Sequence, residues 1–281
     1  MPSFRFPDRA TSISAAARPA RSTSPDRATS AADNAGLLGR ACGCDGSAMV
    51  RGLAILPLLL LLAAFAPGQD RSFMVGSFDR IRVDGPYHVT VTQGRSPAAR
   101  AVGDRDSLEQ VEVRLSGTTL VVTAGTLGWQ ERTSPAEAAE IHIVAPHLRG
   151  ISVNGGGRAT IAAMDGERVE ANVNGAGAII IDKVEARDFR ATLIGTGRIA
   201  AGGESRSARL LSNGAGSIDA GALTTGDLSI VSQSTGGIAG HARYTARILA
   251  TGAGTVSVTG AAKCEVSGPG PVTCEGEKIR R

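Results

Sequence analysis

Aromatic residues make up only 3% of this 281-residue chain, although hydrophobic residues in total reach 42%. Few large rings are therefore available to fill a wide core, and the remaining apolar side chains are mainly small aliphatic ones. Close packing of small side chains requires a narrow space. The composition thus argues against a thick globular core and predicts a thin, flattened hydrophobic interior.

The sequence also lacks the motifs of common catalytic and metal sites. No Gly-x-Ser-x-Gly nucleophile elbow occurs, and calcium-binding glycine repeats require Asp where this chain carries Arg, Ala or Ser. Gly195-Thr196-Gly197 begins like a dinucleotide-binding loop but lacks the third glycine and the helix. The histidines have no ligand-like spacing beyond one weak pair, His142 and His147; the others are His88 and His241. We expect no catalytic residue, cofactor or metal.

An excess of positive charge is absent from most of the chain. Subtracting the seven Arg and four acidic residues of residues 1–66 from the 30 basic and 26 acidic residues of the whole leaves 23 and 22. Residues 67–281 therefore carry a net charge of only +1. Nucleic-acid binding usually needs a marked basic surplus, so we expect no nucleic-acid partner.

Long hydrophobic runs are also missing, except for one of about 13 residues that starts at Leu53. It follows Arg51 and ends in Ala-x-Ala at Ala66, which is typical of a secretory signal peptide. We assign residues 49–66 to this signal and expect the protein to be exported. A membrane anchor is the alternative, but it needs about 20 apolar residues.

Residues 1–48 are rich in Ser, Ala, Arg and Pro and precede the signal. Because a secretory signal begins at the N-terminus, we interpret them as a disordered leader from a misassigned start codon, with translation starting at Met49. A disordered cytoplasmic extension is the alternative.

A glycine-x-glycine step recurs from about residue 150 onward, with first positions 20, 20, 19, 20, 18 and 16 residues apart. A fixed period in this range marks stacked repeats that bury their apolar faces on one another. The copies are Gly155-Gly156-Gly157, Gly175-Ala176-Gly177, Gly195-Thr196-Gly197, Gly214-Ala215-Gly216, Ser234-Thr235-Gly236, Gly252-Ala253-Gly254 and Gly268-Pro269-Gly270.

Small apolar residues alternate with polar ones on both sides of each step. Val169, Ala171 and Val173 precede one step, for example, and Ile179 and Ile181 follow it. Period two indicates strands with one buried face, joined by a tight glycine corner. We predict an all-β fold, a parallel, right-handed β-solenoid (β-helix) of about 20-residue coils. Independent hairpins fit less well because each would bury too little surface.

The solenoid needs an end cover to prevent edge-to-edge association. Residues 78–123 alternate in short runs that are off the 20-residue period, and turns such as Asp84-Gly85-Pro86 separate them. We predict an N-terminal β cap over residues 67–140 and solenoid repeats over residues 141–281.

Two cysteines, Cys264 and Cys274, fall on inward positions of the last repeat. In an exported protein they predict a disulfide across the end of the coil. Metal binding is the alternative, although two Cys without a nearby His make an incomplete site.

Two outward stripes follow from the same alignment. The position five residues before each step is mostly cationic, and we propose a stripe for acidic glycans formed by Arg190, Arg209, Arg247 and Lys263. A solvated face balanced by Asp188 and Asp227 is the alternative. The position three residues before the step is apolar in three copies, Leu211, Val231 and Leu249. Either the N-terminal region covers this stripe or it is an association surface for a homo-oligomer.

The order of the N-terminal motifs resembles a known bacterial family, the putative auto-transporter adhesin, head GIN domain family. The resemblance covers residues 78–260, and repeated Asn-Gly-x-Gly units follow its N-terminal motifs. Those motifs are Phe78-Asp79-Arg80-Ile81-Arg82-Val83-Asp84-Gly85, Val89-Thr90-Val91-Thr92-Gln93-Gly94, Gly103-Asp104 and Leu120-Val121-Val122. The resemblance implies an exported β-solenoid without established catalytic residues, located in the periplasm, at the outer membrane or on the cell surface of a Gram-negative bacterium.

We therefore expect a non-catalytic adhesin or structural module, with cell-surface or matrix polysaccharide or an envelope protein as partner. A carbohydrate-active enzyme is the alternative, because β-solenoids also host polysaccharide lyases and hydrolases. Its acidic and basic groups would have to come from Asp182, Lys183 and Asp188, the one modest cluster.

Overall fold

A computed structural model describes residues 69–125 and 139–280. The chain forms a β-solenoid of about six turns with coils of about 20 residues, as predicted. The predicted leader and signal peptide lie outside the described residues, and the handedness of the coil stays a prediction. No helix within the described ranges is long and apolar enough to cross a membrane.

The described residues form 17 strands and one short helix. In chain order these are β1 (Gln69–Phe73), β2 (Arg80–Asp84), β3 (His88–Gln93), β4 (Ala98–Gly103), α1 (Arg105–Gln110), β5 (Val111–Ser116), β6 (Thr119–Ala124), β7 (Glu140–Ala145), β8 (Gly150–Gly155), β9 (Arg158–Gly175), β10 (Ala178–Gly195), β11 (Arg198–Gly214), β12 (Ser217–Ser234), β13 (Ile238–Ala250), β14 (Val256–Thr259), β15 (Lys263–Ser267), β16 (Val272–Cys274) and β17 (Lys278–Arg280).

Each of the strands β9 to β12 makes one coil between two glycine corners. It runs along a first face, bends at a second corner and returns along a second face. Neighbouring coils pair in parallel and nearly in register, so that Ile179 lies beside Ala159 and Ile199. Residues at equivalent positions therefore stack in columns along the rod, about 4.8 Å apart.

The predicted inward positions form the core. Val173, Leu193 and Ile179 are at most 1% exposed, as are most of their equivalents in other coils. The exceptions are Val272 and Cys274, which are half-buried because β16 pairs only with β14. Burial of the alternating residues confirms the period-two reading of the repeat.

The glycine corners are required by the closeness of stacking. Gly175 has a φ of 121°, a region that side chains disfavour. A Cβ on Gly175 would also lie 2.8 Å from the carbonyl oxygen of Gly155, and one on Gly177 would lie 2.8 Å from that of Gly157. Corner backbones thus occupy the space that a side chain would need.

The second corner contributes core residues that the glycine spacing does not reveal. Leu148, Met164, Val184 and Leu223 are at most 2% exposed there. Register shifts occur nearby, for example between Ile181 and Val184. The strict alternation is lost at these β-bulges, and the sequence pattern fades with it.

The N-terminal strands stack in an order that differs from their order in the chain. β2 pairs in parallel with both β6 and β8, and β3 pairs in parallel with both β7 and β9. Strands β2 and β3 therefore form one of the stacked coils, with a neighbouring coil on each side. They lie within residues 67–140, the range predicted as the N-terminal cap. The other N-terminal pairings are antiparallel: β4 pairs with β7, β1 pairs with β4, and β5 pairs with β6.

The opposite end carries a disulfide. Cys264 on β15 and Cys274 on β16 are joined, with their Cα atoms 6.6 Å apart. Cys264 is fully buried, so the bond crosses the interior between the last two coils. The structure confirms this predicted pairing.

Candidate functional site: a charged groove on the second face

The outward residues of the second face form a cationic column. Glu170, Arg190, Arg209, Ser229 and Arg247 lie side by side on successive coils. The strands hold them there because each is flanked by two inward core residues, which fixes its direction toward solvent. The structure thus brings together three of the four cations that the sequence singled out.

Lys263 is displaced from this column. It lies in register with Thr245, whereas Glu265 lies beside Arg247. The cause is the last repeat, in which Gly270 rather than Gly268 stacks on Gly252. A shift of two residues preserves which side chains point inward but changes the outward neighbour.

A second column runs parallel to the arginines and is mixed in charge. Its members, two residues earlier on each coil, are Arg168, Asp188, Ser207, Asp227, Thr245 and Lys263. Ser207 Oγ donates to Asp188 Oδ1 at 2.5 Å, and Thr245 Oγ1 donates to Asp227 Oδ1 at 2.6 Å. Hydrogen bonds along the column therefore hold both carboxylates in place.

A groove of about 240 Å³ lies between the two columns. Phe189, Ala208 and Leu228 line its floor, while the arginines and the Asp and hydroxyl groups form its walls. A hollow of about 330 Å³, which Arg168 and Asp188 also line, adjoins it toward the N-terminal end. The result is a shallow channel that runs along the rod across several coils.

The arginines of the groove differ in their partners. Arg247 forms an ion pair with Glu265 at 3.7 Å. Within residues 69–125 and 139–280, no carboxylate lies within 4.0 Å of the Arg190 or Arg209 guanidinium. Their coils are adjacent, so two exposed cations stack and neither forms an ion pair; their mutual repulsion would be relieved by an anion that contacts both.

A separate ion pair lies at the N-terminal end of this face, where Arg149 donates to Asp79. Burial raises the pKa of Asp79, but hydrogen bonds from Arg149 and Thr118 outweigh it, and the pKa falls below the ordinary value. The same contact raises the pKa of Arg149. This pair fixes the loop before β8 and is structural.

The candidate residues for an enzyme do not converge. Lys183 Nζ lies 2.5 Å from Glu185 Oε1, and this hydrogen bond raises the pKa of Lys183. Asp188 instead lies in the groove, bonded to Ser207. No group of three or more His, Cys, Asp or Glu among the described residues is arranged to hold a metal ion.

The predicted apolar stripe lies beside the arginine column. Leu211, Val231 and Leu249 share one column. Leu211 and Val231 are half-buried, and Leu249 is 41% exposed. The described strands β1 to β5 pair with one another or with β6 to β9, and not with the coils that carry this stripe.

The family can be assigned from the sequence. The family model described as "Putative auto-transporter adhesin, head GIN domain" matches residues 77–262, more than half of the chain. The chain belongs to this family. The match confirms the predicted resemblance and agrees with the observed solenoid. No curated protein matches the sequence.

Among the similar solved structures, one has a TM-score above 0.5 and shares the fold of this chain. A putative adhesin from Bacteroides fragilis is 20% identical, with a TM-score of 0.59 over 75% of this chain and 95% of that one. A putative lipid binding protein from Parabacteroides distasonis is 14% identical, with a TM-score of 0.48 over 77% and 98%. A putative adhesin from the same organism is 15% identical, with a TM-score of 0.46 over 75% and 94%. At these identities the likeness extends to the fold alone.

Proposed function

We propose that this member of the head GIN domain family is a non-catalytic adhesin module that binds acidic polysaccharide in the groove. The observation that carries the proposal is the stacking of Arg190 and Arg209 on adjacent coils without a carboxylate partner. An extended polyanion laid along the rod would meet these cations in turn and relieve their repulsion. Membership of an adhesin-like family supports a binding role.

The mixed chemistry of the groove favours a sugar polymer over a polyphosphate. Asp188 and Asp227 line the wall opposite the arginines, where their carboxylates can accept hydrogen bonds from sugar hydroxyls, groups that a polyphosphate chain lacks. Ser207 and Thr245 add hydroxyl groups on the same wall. The net charge of only +1 over residues 67–281 likewise gives little general attraction for nucleic acid.

Binding to polygalacturonate, a carboxylated polysaccharide, tests this proposal. The double variant Arg190→Ser/Arg209→Ser should bind about tenfold more weakly, because each exposed ion pair contributes up to about 1 kcal/mol. The matched control is Arg158→Ser/Arg198→Ser, which removes two exposed arginines from the first face and should bind like the wild type. Equal affinity of both double variants would refute the groove as the site.

Export of the protein is part of the same proposal. The apolar segment within residues 49–66 supports a cleaved signal, and the Cys264–Cys274 disulfide is of a kind that persists in oxidising compartments. Cell fractionation and N-terminal sequencing of the native protein test this. Peptides from residues 1–40 in the mature product would contradict both the signal assignment and the start at Met49.

A further inference from the structure

Tyr244 is the one aromatic side chain that is mostly exposed among the described residues, at 68%. The remaining aromatics in these ranges are buried or half-buried: Phe73, Phe78, Tyr87 and Phe189. Most of the aromatic rings among the described residues therefore serve the interior, and Tyr244 does not. Its position on the surface is set by an irregularity in the coil.

A β-bulge presents the Tyr244 ring. Thr225 pairs with Ala242 and Asp227 pairs with Thr245, so Arg243 and Tyr244 together stand opposite Gly226. Bulges of this kind redirect side chains. A Cβ on Gly226 would lie 3.5 Å from Tyr244 Cδ2, so the ring lies against bare backbone and leaves much of its surface to solvent.

The bulge lies at the corner between the groove and a second hollow. Asp227 and Thr245, which flank the bulge, both line the groove. Arg206 and Arg243 line the second hollow, of about 840 Å³, together with Glu204 and Thr224. Tyr244 therefore stands where a chain leaving the groove would turn the corner.

We propose that Tyr244 is a stacking platform for a pyranose ring and extends the groove around this corner. A pyranose has an apolar C–H face with a hydroxyl rim, which complements the apolar face and polar tip of tyrosine. Arg206 and Arg243 supply donors, and Glu204 supplies an acceptor, within the adjoining hollow. This inference rests on the proposed function and narrows its ligand to acidic polysaccharides built from pyranose units.

The two kinds of polyanion separate this inference from the proposed function. Inorganic polyphosphate carries charge but no apolar ring face, so it can contact the arginines but gains nothing from Tyr244. Polygalacturonate offers both features. A loss of stacking should therefore affect only the sugar polymer.

Affinities for polygalacturonate and polyphosphate would be measured by calorimetry for the wild type, Tyr244→Ala, Tyr244→Phe and Arg190→Ser/Arg209→Ser. We expect Tyr244→Ala to weaken polygalacturonate binding about fivefold, to leave polyphosphate binding unchanged, and to keep the wild-type melting temperature. Tyr244→Phe keeps the ring face and should stay within about twofold of the wild type, because it loses at most one exposed hydrogen bond.

The outcomes decide the two proposals separately. If Tyr244→Ala binds polygalacturonate like the wild type while the double arginine variant is weakened, the platform is refuted and the groove stands. Equal losses on both polymers would also refute a sugar-specific role of Tyr244. If the double arginine variant binds polygalacturonate unchanged, the proposed function itself fails.

Discussion

Replacing one corner glycine should destabilise the solenoid, and Gly175→Ala gives the clearest test. Gly175 sits at the corner between two coils with a φ of 121°. Alanine at a positive φ costs about 1–3 kcal/mol in backbone strain. This cost arises even if the surrounding atoms can move.

Steric overlap adds to the strain. The new methyl carbon would lie 2.8 Å from the Gly155 carbonyl oxygen and 3.2 Å from the Gly155 nitrogen. Backbone cannot yield as a flexible side chain can, and overpacking of this kind costs about 1–3 kcal/mol. The two effects sum to about 4 kcal/mol, which for a domain of this size lowers the melting temperature by about 10 °C.

Gly156→Ala provides a matched control on the preceding corner. A Cβ on Gly156 meets no atom within 4 Å, and the next coil carries Ala176 at the equivalent position. Alanine there should be neutral or should stabilise by up to about 1 kcal/mol, since it restricts the unfolded chain. Thermal and urea unfolding followed by circular dichroism would compare both variants. Equal melting temperatures would refute the close-stacking argument.

Three further predictions concern the core and the ends. Replacing Cys264 and Cys274 with Ser opens a crosslink that spans ten residues and should lower the free energy of unfolding by about 2–3 kcal/mol; melting should then no longer respond to a reductant. Ser232 has a buried hydroxyl without a hydrogen-bond partner, so Ser232→Ala should stabilise by about 1 kcal/mol, and a lower urea midpoint would show that the hydroxyl is bonded. The pKa of Asp79 in the folded state lies below its ordinary value of 3.8, so its pairing with Arg149 stabilises the fold above that pH and is lost as the pH falls through the folded pKa. Asp79→Asn should therefore be less stable than the wild type at neutral pH, and the two melting curves should converge in acid.

The regular coils could be predicted from sequence because one physical rule generates them. Every second residue counted from a glycine corner points inward, and this rule identifies buried residues such as Ile179 and Leu193. The same alternation of inward and outward residues predicts that Cys264 and Cys274 point inward. That prediction holds although Gly270, and not Gly268, stacks on Gly252. A shift of two residues leaves each side chain pointing to the same side of the strand, but it changes which residues of the adjacent coil lie beside it. For this reason the spacing from Gly268 places Lys263 in the arginine column, whereas Lys263 lies beside Thr245.

The coil formed by residues 80–93 could not be predicted from a fixed period. It stacks between strands β6 and β7 on one side and strand β8 with the start of β9 on the other, so its neighbours in space are not its neighbours in sequence. One local signal was present. Asp84-Gly85-Pro86 stacks on Asn154-Gly155-Gly156, with the Gly85 nitrogen donating to the Asn154 oxygen at 3.1 Å, and it resembles the repeated Asn-Gly-x corner.

The partition between inward and outward positions explains why the site was only half predictable. Inward residues must fit one narrow interior, so their type follows from the fold. Outward columns meet only their neighbours on adjacent coils, and the solenoid tolerates Glu170, Arg190 or Ser229 at equivalent positions. Tyr244 depends on a one-residue bulge that has no counterpart in the repeat. The candidate site on this rod therefore depends on outward residues that vary from coil to coil and on one bulge that interrupts the repeat.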